Sequence, residues 1–296
     1  MNPAPSRGVA MVLAAAALWG TTGTAQSFAS PNLSSYWVGS LRLVAASIFF
    51  LPTIARWRAG PCRPLPWAQV AAAAACVTTY NLAFFAGVRS AGVAVGTTIA
   101  LGSGPIWAGI LQALWLGRLP PARWWAGTAV AIAGVGLMIA GRGAVGLPPP
   151  GGASLCLLAG LSYAVYALVN KRMVSAAPAG PVTAAVFFVA AVLAAPVAAA
   201  LAGRPTPTAT DVAVIAWLGV LSTGVAYMLF SHALRAISSA TGVALALAEP
   251  ATAFVLAVVI VGERPGAGGV AGLLAVLAGL GMVIRAELAA RQMVAA

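Results

Sequence analysis

Residues 97–139, TTIALGSGPIWAGILQALWLGRLPPARWWAGTAVAIAGVGLMI, align without a gap with residues 242–284, GVALALAEPATAFVLAVVIVGERPGAGGVAGLLAVLAGLGMVI. Pro105/Pro250, Gly117/Gly262, Pro120/Pro265, Gly127/Gly272, Gly134/Gly279 and Gly136/Gly281 are identical pairs in that alignment. The chain carries two copies of one segment. In an apolar chain such a duplication points to two pseudo-symmetric halves that meet at a central site, the organisation of many membrane transporters.

The composition agrees with a membrane setting. Apolar residues make up 61% and charged residues 7% of 296 residues, with a mean hydropathy of +0.98, more apolar surface than a water-soluble fold of this length could bury. A net charge of +12 would suggest a nucleic-acid partner in a soluble protein. Here the basic residues sit singly in short connections, so no nucleic acid is expected. Cys62, Cys76 and Cys156 are too scattered for a metal cluster and read as free thiols. With one histidine, His232, and no phosphate loop or spaced acidic set, neither a metal nor another cofactor is expected.

A bilayer core of about 30 Å takes roughly 20 helical residues to cross. The chain divides into ten such pieces, near 8–28, 35–55, 67–88, 93–116, 122–140, 153–171, 181–202, 211–234, 239–261 and 267–288. The expected fold is therefore all-α and polytopic. Interior Gly and Pro are tolerated in such helices, and Gly127, Gly134, Gly272 and Gly279 read first as packing surfaces. The first stretch resembles a signal peptide with small residues at Ser27 and Ala29. We read it as a span, because its removal would unbalance the halves and because Trp19, Thr22 and Gln26 form a polar stripe at helical spacing.

Lys and Arg fall unevenly between the two sides. Eleven of them (Arg7, Arg56, Arg58, Arg63, Arg118, Arg123, Lys171, Arg172, Arg235, Arg285 and Arg291) lie on one side, against Arg89, Arg142, Arg204 and Arg264 on the other. That bias puts both termini in the cytoplasm. Residues 1–141 then form a first five-helix repeat, 142–152 an external linker and 153–296 a second repeat. Five is odd, so the second repeat enters from the opposite side and the repeats are inverted, the arrangement associated with alternating access.

Leu116-Gly117-Arg118 with Trp125-Ala126-Gly127, and Gly262-Glu263-Arg264 with Gly272, end the halves in a pattern that resembles the drug/metabolite transporter superfamily, EamA type. Trp19-Gly20 in the first helix and Leu41-Arg42-Leu43-Val44-Ala45 in the second extend the resemblance over essentially the whole chain. One departure is visible: where the family often has Gly-Glu after the fourth helix, Arg118 follows Gly117, so any role of that acid rests on Glu263. The aromatic-rich interior is similar to that of bacterial amino-acid exporters of the YddG kind, in residue character rather than in a diagnostic motif. The resemblance implies a bacterial inner (plasma) membrane location.

Glu249, mid-way along the ninth helix before Pro250, is the one acid at membrane depth. Intramembrane charges cost about 2.5–3.5 kcal/mol on insertion scales and so point to function, against the plainer reading of a protonated Glu bonded to a neighbouring helix. Its counterpart in the first copy is Gly104. Pro105 and Pro250 free carbonyls one turn earlier and are candidate hinges, or simple kinks. Polar and aromatic residues at helical spacing give a candidate substrate-binding set: Trp19 and Gln26, with Thr22; Tyr80, Asn81 and Phe84; Ser103 and Trp107; Tyr163 and Tyr166, with Asn170; Tyr227, with Thr223; and Glu249. Plain helix packing is the alternative for each. Trp37, Trp57, Trp67, Trp124, Trp125 and Trp217 read as interfacial anchors. Arg42, roughly 10 Å deep, fits snorkelling or structural pairing better than contact with a substrate carboxylate. Glu249 and His232 are the groups that could carry a coupling proton; for His232, packing is the stronger reading.

Those residues suit export of amino acids, aromatic or neutral, or related small metabolites: a zwitterion needs a few oriented hydrogen bonds and an aromatic wall. Export of hydrophobic drugs or nucleoside-like metabolites is the alternative. Phosphorylated sugars would need converging Lys and Arg, and only Arg42 is available. A remote alternative, an intramembrane serine hydrolase using Ser103 and His232, lacks both an oxyanion hole and an acid partner. The expected partners are a small-molecule substrate and the lipid bilayer.

Overall fold

The computed structural model describes residues 4–30, 33–58, 64–140, 149–262 and 264–295. Cys62, Arg63, Arg142, Glu263 and residues 142–148 of the expected linker lie outside the described residues. Among the described residues ten helices are long and apolar enough to cross a bilayer: α1 (Pro5–Gln26), α2 (Ser35–Arg58), α3 (Trp67–Ala91), α4 (Val93–Leu116), α5 (Ala122–Ala140), α6 (Pro150–Ala176), α7 (Ala179–Ala202), α8 (Ala209–Ala233), α9 (Ser239–Ile260) and α10 (Ala267–Ala295). The described residues contain no strand. Residues 150–152, expected in the linker, are helical: Pro150 opens α6, where its missing N–H is not needed and its fixed φ suits the first turn.

The duplicated glycines have a local cause. Gly117 ends α4 with φ 63° and Gly262 ends α9 with φ 77°, both in the left-handed region where a Cβ is penalised. The helix interiors are less alike. Pro105 sits inside the continuous α4. Pro250 follows a break: α9 is helical over Ser239–Leu245 and again from Ala248, and at the turn Leu247 N donates to Ala244 O and Glu249 N to Ala246 O, three residues back. Two stretches widen to π-helix, Leu218–Val225 in α8 and Ala257–Val261 in α9; such segments commonly accompany functional sites.

The helix neighbours follow the duplication. The first helix of each half packs on the third and fourth of the other: α1 on α8 and α9, α6 on α3 and α4. α2 pairs with α7 and α5 with α10, so exchanging the halves leaves the neighbours unchanged. The α5–α10 seam gives the direction. A Cβ at Gly127 would meet Gly279 O at 2.8 Å, and one at Gly134 would meet Gly272 O at 2.7 Å. The exchange converts one contact into the other, and the helices run antiparallel, so the two repeats are inverted. Close approach through small residues is how membrane helices gain packing without a hydrophobic drive between them.

Large apolar side chains on the outer faces are exposed, among them Ile48, Leu114, Phe188, Val192, Val259 and Leu274, as a lipid-facing surface requires. Trp67 is 62% and Trp217 44% exposed, while Trp57 is partly buried against the core. Trp37 Nε1 donates to Gly203 O at 2.9 Å. Trp124 is not an interfacial anchor. It is 1% exposed, donates Nε1 to Thr241 Oγ1 at 3.1 Å and packs edge-on to Trp125 at 5.0 Å.

Candidate functional site: a charged, aromatic cavity between the halves

α1, α2, α3, α4, α6, α8 and α9 surround a cavity of about 690 Å³, its open mouth included. α1 contributes Trp19, Thr22 and Gln26, one face of a helix at steps of three and four residues. Gln26 is the last residue of α1, so the cavity reaches the C-terminal end of that helix. Tyr80, Asn81, Phe84 and Phe85 come from α3, Tyr163 from α6, Ser222 and Tyr227 from α8, and Glu249 from α9.

Of the two readings that sequence depth favours for Arg42, snorkelling and a structural partner, the structure shows the second: the side chain turns inward, lines the cavity and donates Nη2 to Asn81 Oδ1 at 2.6 Å. Asn81 is fixed in turn by donating Nδ2 to Val77 O at 2.8 Å. Glu249 lines the same cavity as Arg42. α1 is clamped beside this pair: a Cβ at Gly20 would fall 2.6 Å from Thr252 Cβ and 2.8 Å from Glu249 O.

Aromatic rings form the floor. Trp19 meets Tyr227 at 5.0 Å, Phe230 at 5.6 Å and Tyr163 at 6.3 Å, and Tyr80 links Phe84 at 5.8 Å to Tyr163 at 5.7 Å. Each such pair adds about 0.5–1.5 kcal/mol beyond area burial. Three buried donors here have no partner: Trp19 Nε1, Tyr163 OH and Arg42 Nε. Leaving such a group unmatched costs about 1–3 kcal/mol, and all three side chains border this one cavity.

Three members of the expected set lie elsewhere. Ser103 Oγ donates to Ala100 O at 3.3 Å and is pressed against Gly160. Trp107 packs against the core with Nε1 unpartnered. Tyr166 is buried behind Tyr163 and Tyr227. None of the three lines the cavity. Thr223 is buried too, its Oγ1 donating to Leu218 O five residues back, within the π-helical stretch. His232 Nδ1 donates to Met228 O at 2.8 Å and is also off the cavity. Ser103 and His232 are thus each engaged with backbone and form no nucleophile–base pair.

Phe85, Leu101, Ser222 and Ala246 line the cavity without having been expected. Ser222 Oγ donates to Leu18 O at 2.9 Å and lies 3.1 Å from Thr21 Oγ1, tying α8 to α1. A helical wheel on Tyr227 selects Thr223; the π-helical stretch rotates Ser222 into its place. Among the described residues no group of three or more His, Cys, Asp or Glu could hold a metal ion.

Ten apolar spans around a polar, charged cavity define a multi-pass membrane carrier. The EamA-like transporter family matches residues 6–140 and again 150–285, and the chain belongs to that family. It is 35% identical over 252 residues to the "Uncharacterized transporter YwfM" of Bacillus subtilis (strain 168), a match covering 85% of each chain. A solved crystal structure superposes with a TM-score of 0.82 at 18% identity, covering 93% of this chain and 97% of the other, and shares the fold. The protein is a transporter and not an enzyme.

Proposed function

We propose that this chain exports amino acids, preferentially aromatic or neutral ones, by alternating access. The observation that carries the reading is the presence of Arg42 and Glu249 on one aromatic cavity. A zwitterion matches that arrangement: its carboxylate meets Arg42 and the free Trp19 and Tyr163 donors, its ammonium meets Glu249, and its side chain lies on the rings. Tyr80, Asn81, Phe84, Gln26 and Tyr227 complete the wall. Ser103, Trp107 and Tyr166 support it from behind.

The basic residues support a plasma-membrane orientation with both termini cytoplasmic, in which the α1–α2 turn is external and the cavity faces outward. Reporter fusions at Ala176 and Gly203 test it: cytoplasmic and external readouts, respectively, are expected. Pro250, at the break in α9, is the better hinge candidate; Pro105 is the stiffer of the pair. Glu249 is the candidate for proton coupling, since His232 lies off the path.

Hydrophobic cations are the second reading, favoured by a carboxylate beside stacked rings, and opposed by the fixed charge of Arg42. Uptake of labelled L-phenylalanine into inside-out vesicles, competed by its methyl ester and its N-acetyl derivative, separates the two. Competition by the free amino acid alone supports the zwitterion. Competition by the ester but not by the N-acetyl acid, or inhibition by cationic dyes only, overturns it.

A further inference from the structure

The α1 stripe Trp19, Thr22, Gln26 recurs on α6 as Tyr163, Tyr166, Asn170, with the same steps of three and four residues. α1 and α6 are counterparts under exchange of the halves. Their close contacts obey the same exchange: Gly8 of α1 lies against Ala233 and Ala236 at the end of α8, and Gly152 of α6 against Ser90 and Ala91 at the end of α3.

The surroundings of the two stripes differ. Thr22 and Gln26 line the open cavity, whereas Tyr166 is 1% and Asn170 0% exposed. Asn170 donates Nδ2 to Tyr166 OH at 3.2 Å and to Ser231 Oγ at 3.0 Å, and Ser231 is itself fully buried. Asn170 Oδ1 has no partner at all. An amide oxygen sealed at membrane depth with nothing to accept is a costly arrangement that calls for an explanation. Between the cavity ring Trp19 and Tyr166, the partner of Asn170, stands Phe230, which packs on Trp19 at 5.6 Å, Tyr163 at 6.0 Å and Tyr166 at 6.4 Å.

From this correspondence we propose that Asn170, Tyr166 and Ser231 are a second solute-binding station, the wall of a cytoplasm-facing cavity in the opposite state of the carrier. They are to that state what Thr22 and Gln26 are to this one. The inference rests on the transport reading above and assigns new residues to it. The station takes a small solute carrying both an N–H donor and an acceptor: Asn170 Oδ1 accepts from its ammonium, and the Ser231 and Tyr166 hydroxyls donate to its carboxylate. Access requires the Phe230 ring to leave its stack. The dense side-chain burial now around Asn170 is the closed form of the same path.

The test is side-specific labelling in the full-length chain, with Cys62, Cys76 and Cys156 replaced by alanine. Ser231→Cys reacts with a membrane-impermeant maleimide from the cytoplasmic face and not from the outer face; Gln26→Cys shows the reverse. Asn170→Cys carries the same expectation as Ser231→Cys and serves if the latter does not insert. Absence of cytoplasmic labelling, or labelling from outside, in vesicles where Gln26→Cys reacts from outside overturns the station. Asn170→Leu lowers labelled L-phenylalanine flux at least tenfold while Ser231→Cys stays reactive; unchanged flux overturns its binding role. If the parent chain moves no L-phenylalanine, the substrate reading falls, and the labelling pattern still decides the station.

Discussion

Arg42 Nη2 lies 2.6 Å from Asn81 Oδ1, while its Nε is buried with no partner. The guanidinium is therefore half used: one edge is fixed by α3, and Nε has no partner, as the zwitterion reading requires. A planar fork fixed in this way reads a carboxylate in two directions at once, which an ammonium cannot do.

Arg42→Lys accordingly keeps the charge and loses the geometry. Hydrogen bonds to charged groups are worth about 1.5–3 kcal/mol, so amino-acid flux in proteoliposomes falls by roughly 10- to 100-fold. Asn81→Ala, which releases the guanidinium without removing it, gives a smaller loss. Equal flux from Arg42→Lys and the parent chain would remove the carboxylate assignment.

Glu249→Gln separates binding from coupling. With proton exchange through this carboxyl, the variant binds the ammonium more weakly and equilibrates substrate more slowly, and an imposed pH gradient no longer accelerates the flux that remains. The measurement compares counterflow with gradient-driven uptake in the same vesicles. A response to the gradient that survives in Glu249→Gln assigns coupling elsewhere.

Gly134→Ala and Gly136→Ala form a matched pair two residues apart. A Cβ at Gly134 would lie 2.6 Å from Val276 N and 2.7 Å from Gly272 O, both backbone, whereas nothing lies within 4 Å of one at Gly136. Overpacking of this kind costs about 1–3 kcal/mol. Thermal unfolding in detergent shows a lowered midpoint for Gly134→Ala and none for Gly136→Ala.

Glu287 holds the start of α9. Its Oε1 accepts from Ser238 N at 2.9 Å, its Oε2 from Ser238 Oγ at 2.8 Å and Thr241 Oγ1 at 2.7 Å, and Arg291 Nε donates to Oε1 at 3.1 Å. The carboxylate is 7% exposed and Arg291 39%. Glu287→Ala strands buried donors and lowers stability by about 1–3 kcal/mol. Arg291→Ala removes a solvent-screened pair worth about 0.3–0.5 kcal/mol. Comparable losses from both would mean that the cap is not what holds α9.

Much of this architecture was readable because hydropathy counts residues and a bilayer has one thickness. The duplicated glycines carried more than packing: Gly117 and Gly262 mark left-handed helix ends, and Gly127, Gly134, Gly272 and Gly279 mark one antiparallel seam. In the cavity, Trp19, Tyr80 and Tyr163 followed from helical spacing, because α1, α3 and α6 are regular there. Ser222 did not, since spacing rules fail across a π-helical stretch. The partners of Arg42 and Trp124 are illegible in the sequence for a shared reason. Distance from a helix end says how deep a side chain starts, not which partner it finds, and Asn81 and Thr241 belong to other helices. Ser103 has helical spacing to suit the cavity, but the α6 backbone at Gly160 covers it, a contact that no spacing rule reports.

Gly104 and Glu249 occupy equivalent positions in the two copies, and only one carries a side chain. A pocket with an acid in both places would present the same face to a solute after a half-turn, offering two equal poses and room for two cations. If the cargo is a zwitterion, a single acid set against a single guanidinium distinguishes its head from its tail. On the same reading the duplicated scaffold supplies a reversible rocking motion, and the one unmatched carboxyl gives it polarity.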